Sequence, residues 1–206
     1  MRSSRFALSI FLALATVGSS DPCASAQSIR LHVDLTDSPR NIYHANLRIP
    51  AKPGTMTLVF PKWIPGNHRP SGPIAALTGI HMEANGKALS WERDAVDMYA
   101  FHVAVPESAT AIEISLDAIT SSDSAGGSGP AASSNLLDLN WNAVVLYPEG
   151  VDSDKIEFAS SVKLPSGWKF GTALVPEHVS GDEVEFAPVS LTTLVDSPLI
   201  DRKSVV

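Results

Sequence analysis

Apolar and polar residues alternate with a period of two through most of this chain, and no other feature constrains its fold as tightly. Side chains point to opposite faces of a strand in turn, so such alternation marks strands buried on one side. Ile29, Leu31, Val33 and Leu35 alternate with Arg30, His32 and Asp34. Tyr43, Ala45, Leu47 and Ile49 repeat the pattern, followed by Met56, Leu58 and Phe60. His81 to Ala84 and Lys87 to Trp91 flank Asn85-Gly86, a hairpin signal, because both turn positions need positive φ. Tyr99, Phe101, Val103 and Val105 share a face, as do Ile112, Ile114 and Leu116. Leu137, Leu139 and Trp141 come next, then Ile156, Phe158, Ser160, Val162 and Leu164, and finally Val184 and Phe186.

About nine short strands separated by turn residues predict a single all-β domain, an antiparallel β-sandwich. The 15 prolines fall mostly between the runs, where a missing N–H does least harm. No segment sustains a 3.6-residue period. The best helical candidate, Pro73 to Thr78, is a turn or two long. Ser121 to Ser134 is nearly all Ser, Gly, Ala and Pro and reads as a mobile loop within the sandwich. Strand patterns continue on both sides of it, so one domain is expected over 27–198.

Composition excludes some partners. Hydrophobic residues are 44% of the chain, which supports a real core, and only 18% are charged. The net charge of −7 argues against nucleic acid, which calls for a basic face, and against an anionic membrane surface. The first residues form an export signal: Arg2 and Arg5, an apolar stretch from Phe6 to Val17, then Ala24-Ser25-Ala26. Cleavage after Ala26 would leave Gln27 first and remove Cys23, the single cysteine. Ser20-Asp21-Pro22 before Cys23 does not fit a lipidation site. A periplasmic or secreted protein, free of the membrane once the signal is cleaved, is expected.

The search for catalytic chemistry finds nothing. The six histidines, His32, His44, His68, His81, His102 and His178, show no helical ligand spacing, and no H-E-x-x-H occurs. There is no G-x-S-x-G elbow. Gly126-Gly127-Ser128-Gly129-Pro130 lacks the strand-to-helix setting of a phosphate cradle. No catalytic residue, metal ligand or cofactor is therefore expected in this chain. The most specific text is the stretch Phe60 to Ile74, where prolines and glycines stiffen a long connection carrying Trp63, Ile64, Pro65, Gly66, Asn67 and His68. Two readings stay open. This loop could bind a partner, as loops on rigid scaffolds often do. Alternatively, Trp63 could plug one end of the sandwich.

That stretch also carries a resemblance. Leu58-Val59-Phe60-Pro61-Lys62-Trp63-Ile64-Pro65-Gly66 and Ser71-Gly72-Pro73-Ile74 are followed by Asn85-Gly86-Lys87 and Trp91-Glu92-Arg93-Asp94. Val96 to Val103, Leu139-Asn140-Trp141-Asn142, Leu146-Tyr147-Pro148 and Leu164 to Trp168 continue the series. Gly171 to Leu174 and Leu191 to Pro198 end it. In this order the pieces resemble the amino-terminal domain of the glycyl-aminopeptidase family of zinc metallopeptidases, peptidase family sixty-one. The resemblance implies a β-sandwich that packs on a thermolysin-like catalytic domain, its partner, and helps wall the substrate cleft. Zinc would belong to that catalytic domain, through H-E-x-x-H and a downstream glutamate, none of which has a counterpart here. Asn67-His68 stands where many members carry Ser-Tyr. The likeness fades after Pro198, so 199–206 is read as a divergent tail, and a truncated or frameshifted reading frame is the expected explanation. The rival reading is a stand-alone secreted module that grips a peptide or carbohydrate on Trp63, Trp141 or Trp168.

Overall fold

The computed structural model describes residues 28–64, 66–121 and 131–203. The expected export signal with its expected cleavage point, Cys23, Pro65, most of the Ser- and Gly-rich segment and residues 204–206 lie outside the described residues.

The alternating runs become strands and collect into three sheets. The longest runs β14 (Pro176–Ser180), β15 (Glu183–Phe186), β12 (Glu157–Lys163), β1 (Ile29–Asp34), β2 (Ile42–Pro50), β8 (Ala111–Ile119), β4 (Leu77–Ala84) and β5 (Lys87–Ala88), with β16 (Val189–Ser190) also on β12. A second sheet runs β11 (Tyr147–Pro148), β3 (Gly54–Val59), β7 (Ala100–Val105) and β6 (Trp91–Arg93). The third runs β13 (Trp168–Thr172), β17 (Leu199–Lys203), β10 (Leu136–Leu139) and β9 (Ala131–Ala132). Leu31, Leu47 and Ile114 of the long sheet, Leu58 and Phe101 of the second, and Leu137 and Leu199 of the third share one buried cluster. The two small sheets thus face the long one, as the layered architecture requires. The Tyr43 hydroxyl on β2 donates to the Ala131 carbonyl on β9 at 2.8 Å, tying the layers through a polar contact.

The sandwich reading holds, with one exception in direction. Every ladder is antiparallel except β1 with β12, which pair in parallel from Ile29↔Phe158 to Asp34↔Lys163. Asn85 and Gly86 take φ of 51° and 70°, so the turn is the expected one. The run from Lys87 to Trp91, however, divides between two sheets: β5 pairs with β4, whereas β6 pairs with β7.

Helix is scarce. Pro73 to Thr78 holds one 3-10 turn, Ile74–Ala76. The α-helical turn is α1 (Leu191–Val195), which the periodicity did not reveal. Ser190 caps it, its hydroxyl accepting from the Thr193 N–H at 3.2 Å. No helix among the described residues is long and apolar enough to cross a membrane. Residues 199–203, read from the sequence as part of a tail, form β17 at the centre of the third sheet.

Candidate functional site

The loop between β3 and β4 is built from its base upward. Phe60 and Pro61 are buried, and the Phe60 N–H donates to the Tyr99 carbonyl at 2.9 Å. The Gly72 N–H closes the base on the Lys62 carbonyl at 3.0 Å, and the Tyr99 hydroxyl donates to the Gly72 carbonyl at 3.3 Å. Only glycine fits there, since a Cβ on residue 72 would run into the Pro61 carbonyl. Above the base, Trp63 bridges Pro70 in antiparallel fashion, and the Asn67 N–H donates to the Ile64 carbonyl at 3.0 Å. The loop is therefore a pinned hairpin. At its tip Trp63 is 64% exposed, and Gly66, Asn67 and His68 are exposed too, with Ile64 half-buried. Trp63 does not plug the sandwich.

Trp141 does what Trp63 was a candidate to do. It is fully buried in a 3-10 turn, Trp141–Ala143, donating its indole N–H to the Ser197 carbonyl at 2.8 Å. Its ring meets Phe186 edge-on, with centroids 6.2 Å apart. Trp168 is half-buried against the core. Of the three tryptophans considered as a binding platform, Trp63 alone stands free.

A second loop, between β6 and β7, joins the first. The Lys62 ammonium reaches the Asp97 carboxylate at 2.8 Å and lies 5.4 Å from the centre of the Tyr99 ring. The residues on either side of Asp97 are apolar and exposed: Val96 by 97% and Met98 by 52%. One ion pair thus links the two loops beside Trp63, Val96 and Met98. Sequence reasoning missed Val96 and Met98. Their signal was available: two apolar residues flank a single acid, Asp97, in the short connection before the Tyr99–Val105 strand pattern.

Asp94 shapes this second loop. One of its oxygens accepts the Val96 and Asp97 N–H groups, both at 2.8 Å, and the other meets His102 Nε2 at 2.9 Å. Those backbone donors, led by the Asp97 N–H and reinforced by His102, hold the Asp94 carboxyl at about 2. The Lys62 ammonium, with the Tyr99 N–H, likewise depresses Asp97. His102 continues through Nδ1 to the Thr57 hydroxyl at 3.1 Å. Thr57, His102 and Asp94 share the order of a hydrolytic triad, yet Thr57 is mid-strand and its carbonyl accepts the Glu149 N–H at 3.0 Å. The arrangement holds a loop on a sheet.

The remaining histidines are scattered. His32 meets the Ser161 hydroxyl at 3.0 Å. His44 bridges Asp117 at 2.7 Å and Asp37 at 3.3 Å, and its pKa rises, mainly through the Asp117 hydrogen bond. His68, His81 and His178 are exposed on different elements. Among the described residues no group of three His, Cys, Asp or Glu side chains could hold a metal ion, so these residues do not fit zinc. A concavity of about 810 Å³ lies on the outer face of the long sheet, away from the Trp63 loop. The Arg48–Glu113 ion pair and the acids Glu83, Glu177 and Glu185 line it.

Among solved structures the chain is similar to an aminopeptidase N family protein from Idiomarina loihiensis, with 16% identity and a TM-score of 0.72, covering 84% of this chain and 29% of that one. It is also similar to an M1 zinc metallopeptidase from Deinococcus radiodurans, with 12% identity and a TM-score of 0.52, covering 86% and 41%. A mutant of that enzyme bound to a Tyr-Ser-Ala substrate matches equally, with 12% identity, a TM-score of 0.52, and 86% and 42% covered. At these identities the likeness is one of fold, and the chain spans less than half of each structure. No curated protein matches it. Residues 30–200, nearly the whole sandwich, match the Peptidase M61 N-terminal domain, and the chain belongs to that family.

Proposed function

We propose that this chain is the non-catalytic amino-terminal domain of a glycyl-aminopeptidase-like zinc metallopeptidase, a scaffold that packs on the catalytic domain and walls part of its substrate cleft. The observation that carries this reading is the family match across residues 30–200. The small share of each related peptidase structure that the chain covers supports it, because in those proteins the domain is one part among several. The Trp63 loop and the Val96–Met98 loop supply the surface on the side we assign to the partner. Their apolar side chains are held out by a rigid frame, the arrangement of an interface anchor. A peptide or carbohydrate module remains the rival class, with Trp63 as its one exposed platform.

The test is metal analysis after zinc loading, together with an aminoacyl reporter assay. Neither stoichiometric zinc nor turnover is expected from the chain alone. One tightly held zinc per chain, or hydrolysis at a rate above background, would sink the reading. We further propose export to a periplasm or the exterior, motivated by the basic, apolar and small-residue segments before Gln27. Intact-mass measurement on exported material should give a chain starting at Gln27. A retained Met1 or a lipidated Cys23 would contradict it.

A further inference from the structure

Among the described residues Asp201 is the one carboxylate that the sandwich encloses completely. It is the third residue of β17, with no solvent exposure, and among the described residues neither carboxylate oxygen accepts a well-formed hydrogen bond, the Arg202 backbone N–H making only a weak one. A buried carboxylate normally finds a cation or several N–H donors, because desolvation penalises its charged form. Here its neighbours across the ladders are Leu137 on β10 and Phe170 on β13. The titratable groups on the packed elements give no help. The Tyr43 hydroxyl on β2 is pushed above its ordinary pKa by burial first, then by Asp138 and, more weakly, by Asp201, so it stays neutral. Asp138 on β10 is itself acidic and raised by burial. No ion pair among the described residues includes Asp201.

The strand carrying Asp201 is both important and separable. β17 lies between β13 and β10, so it holds the third sheet together. Just before it, the Ser197 carbonyl is fixed by the Trp141 indole at 2.8 Å and the Thr172 hydroxyl at 3.3 Å. Opening of residues 199–203 can therefore start after that anchor while Trp141 stays in the core. Local openings of this kind cost less than global unfolding. We propose that β17 is a pH-sensitive latch, closed when Asp201 carries its proton and loosened when Asp201 ionises.

The sign follows from linkage. Burial raises the Asp201 carboxyl in the closed state from 3.8 to about 6, with the Arg202 backbone N–H offsetting part of the effect. A raised carboxyl favours the closed state below its open-state pKa, and that preference is lost as pH climbs through the closed-state value. Opening should rise about tenfold between pH 5 and pH 8, within a full span of about a hundredfold from strong acid.

Hydrogen exchange of the 199–203 amides, corrected for intrinsic rates, reads this directly. The expected result is about tenfold more opening at pH 8 than at pH 5 in the native chain, and none of that difference in Asp201→Asn. Equal opening at the two pH values would overturn the latch. So would a difference that persists in Asp201→Asn, since Asp138 on β10 and His44 on β2 also titrate and the cause would then lie with them. If that variant fails to fold, carboxyl-carbon NMR of the native chain still decides. A titration midpoint near 6 supports the latch, and one near the ordinary 4 refutes it.

Discussion

His44 shows how a single polar residue on the outer face of a strand can matter. It joins three places in the chain: its own strand β2, Asp117 on the neighbouring β8, and Asp37 in the turn that precedes β2. Both carboxylates favour the imidazolium, so the folded-state pKa lies above the usual 6.5, the Asp117 hydrogen bond being the larger cause. Its contribution is fully present below about pH 6.5 and disappears as pH rises through the higher folded-state value. Replacing His44 with Gln should therefore cost more at pH 5.5 than at pH 8.5, measured as the difference in urea midpoint from the native chain. Comparing the two chains at each pH removes the titration of Asp201, which both share. An equal gap at both pH values would show that the bridge is made by the neutral ring.

At the scale of elements, the strands whose apolar side chains alternate were legible from the start. β1, β2, β7, β8 and β12 bury the residues their patterns picked out, from Ile29 to Leu164. What alternation cannot encode is a partner. The parallel pairing of β1 with β12 joins residues 129 apart in sequence, such as Ile29 and Phe158, and nothing local to either strand announces it. β17 was missed for another reason: its second and third residues invert the usual order, with Ile200 outside and Asp201 inside. α1 is one turn long, too short to display a period.

The candidate site was half legible for a related reason. Proline and glycine marked the Trp63 loop, but its rigidity comes from the Lys62–Asp97 pair and the Asp94 turn in another loop. Asp94→Ala should free the Val96 and Asp97 amides while leaving the β3–β7 ladder intact. Faster exchange at those two amides, with unchanged protection at Phe101 and Val103, is the expected outcome. Loss of protection along all of β7 would mean that Asp94 supports the sheet and not just the loop.

For the whole molecule the apolar surface at Trp63, Val96 and Met98 has the largest consequence. Soluble monomers rarely expose apolar patches beyond roughly 300–600 Å². Trp63, Val96 and Met98 are all exposed, on two loops joined by the Lys62–Asp97 pair, and together they are the candidate for such a patch. The free chain should therefore self-associate as its concentration rises, and Trp63→Ser with Val96→Ser should reduce that association. Neither residue is in the core, so the double variant should stay within about 0.5 kcal/mol of the native chain, as surface changes usually do. Trp141→Ala is the contrasting case. It empties a site of zero exposure and abandons the indole hydrogen bond to Ser197, so it should cost roughly 3–5 kcal/mol. Light scattering across a concentration series, with chemical denaturation of the same samples, separates the two properties. Association that is unchanged in the double variant would remove these loops as the partner-facing surface. A large loss of stability in that variant would mean that the loops brace the sandwich, and the apolar face that meets the catalytic domain would have to be sought elsewhere, first at Leu136 and Ile200 on the outer side of the third sheet.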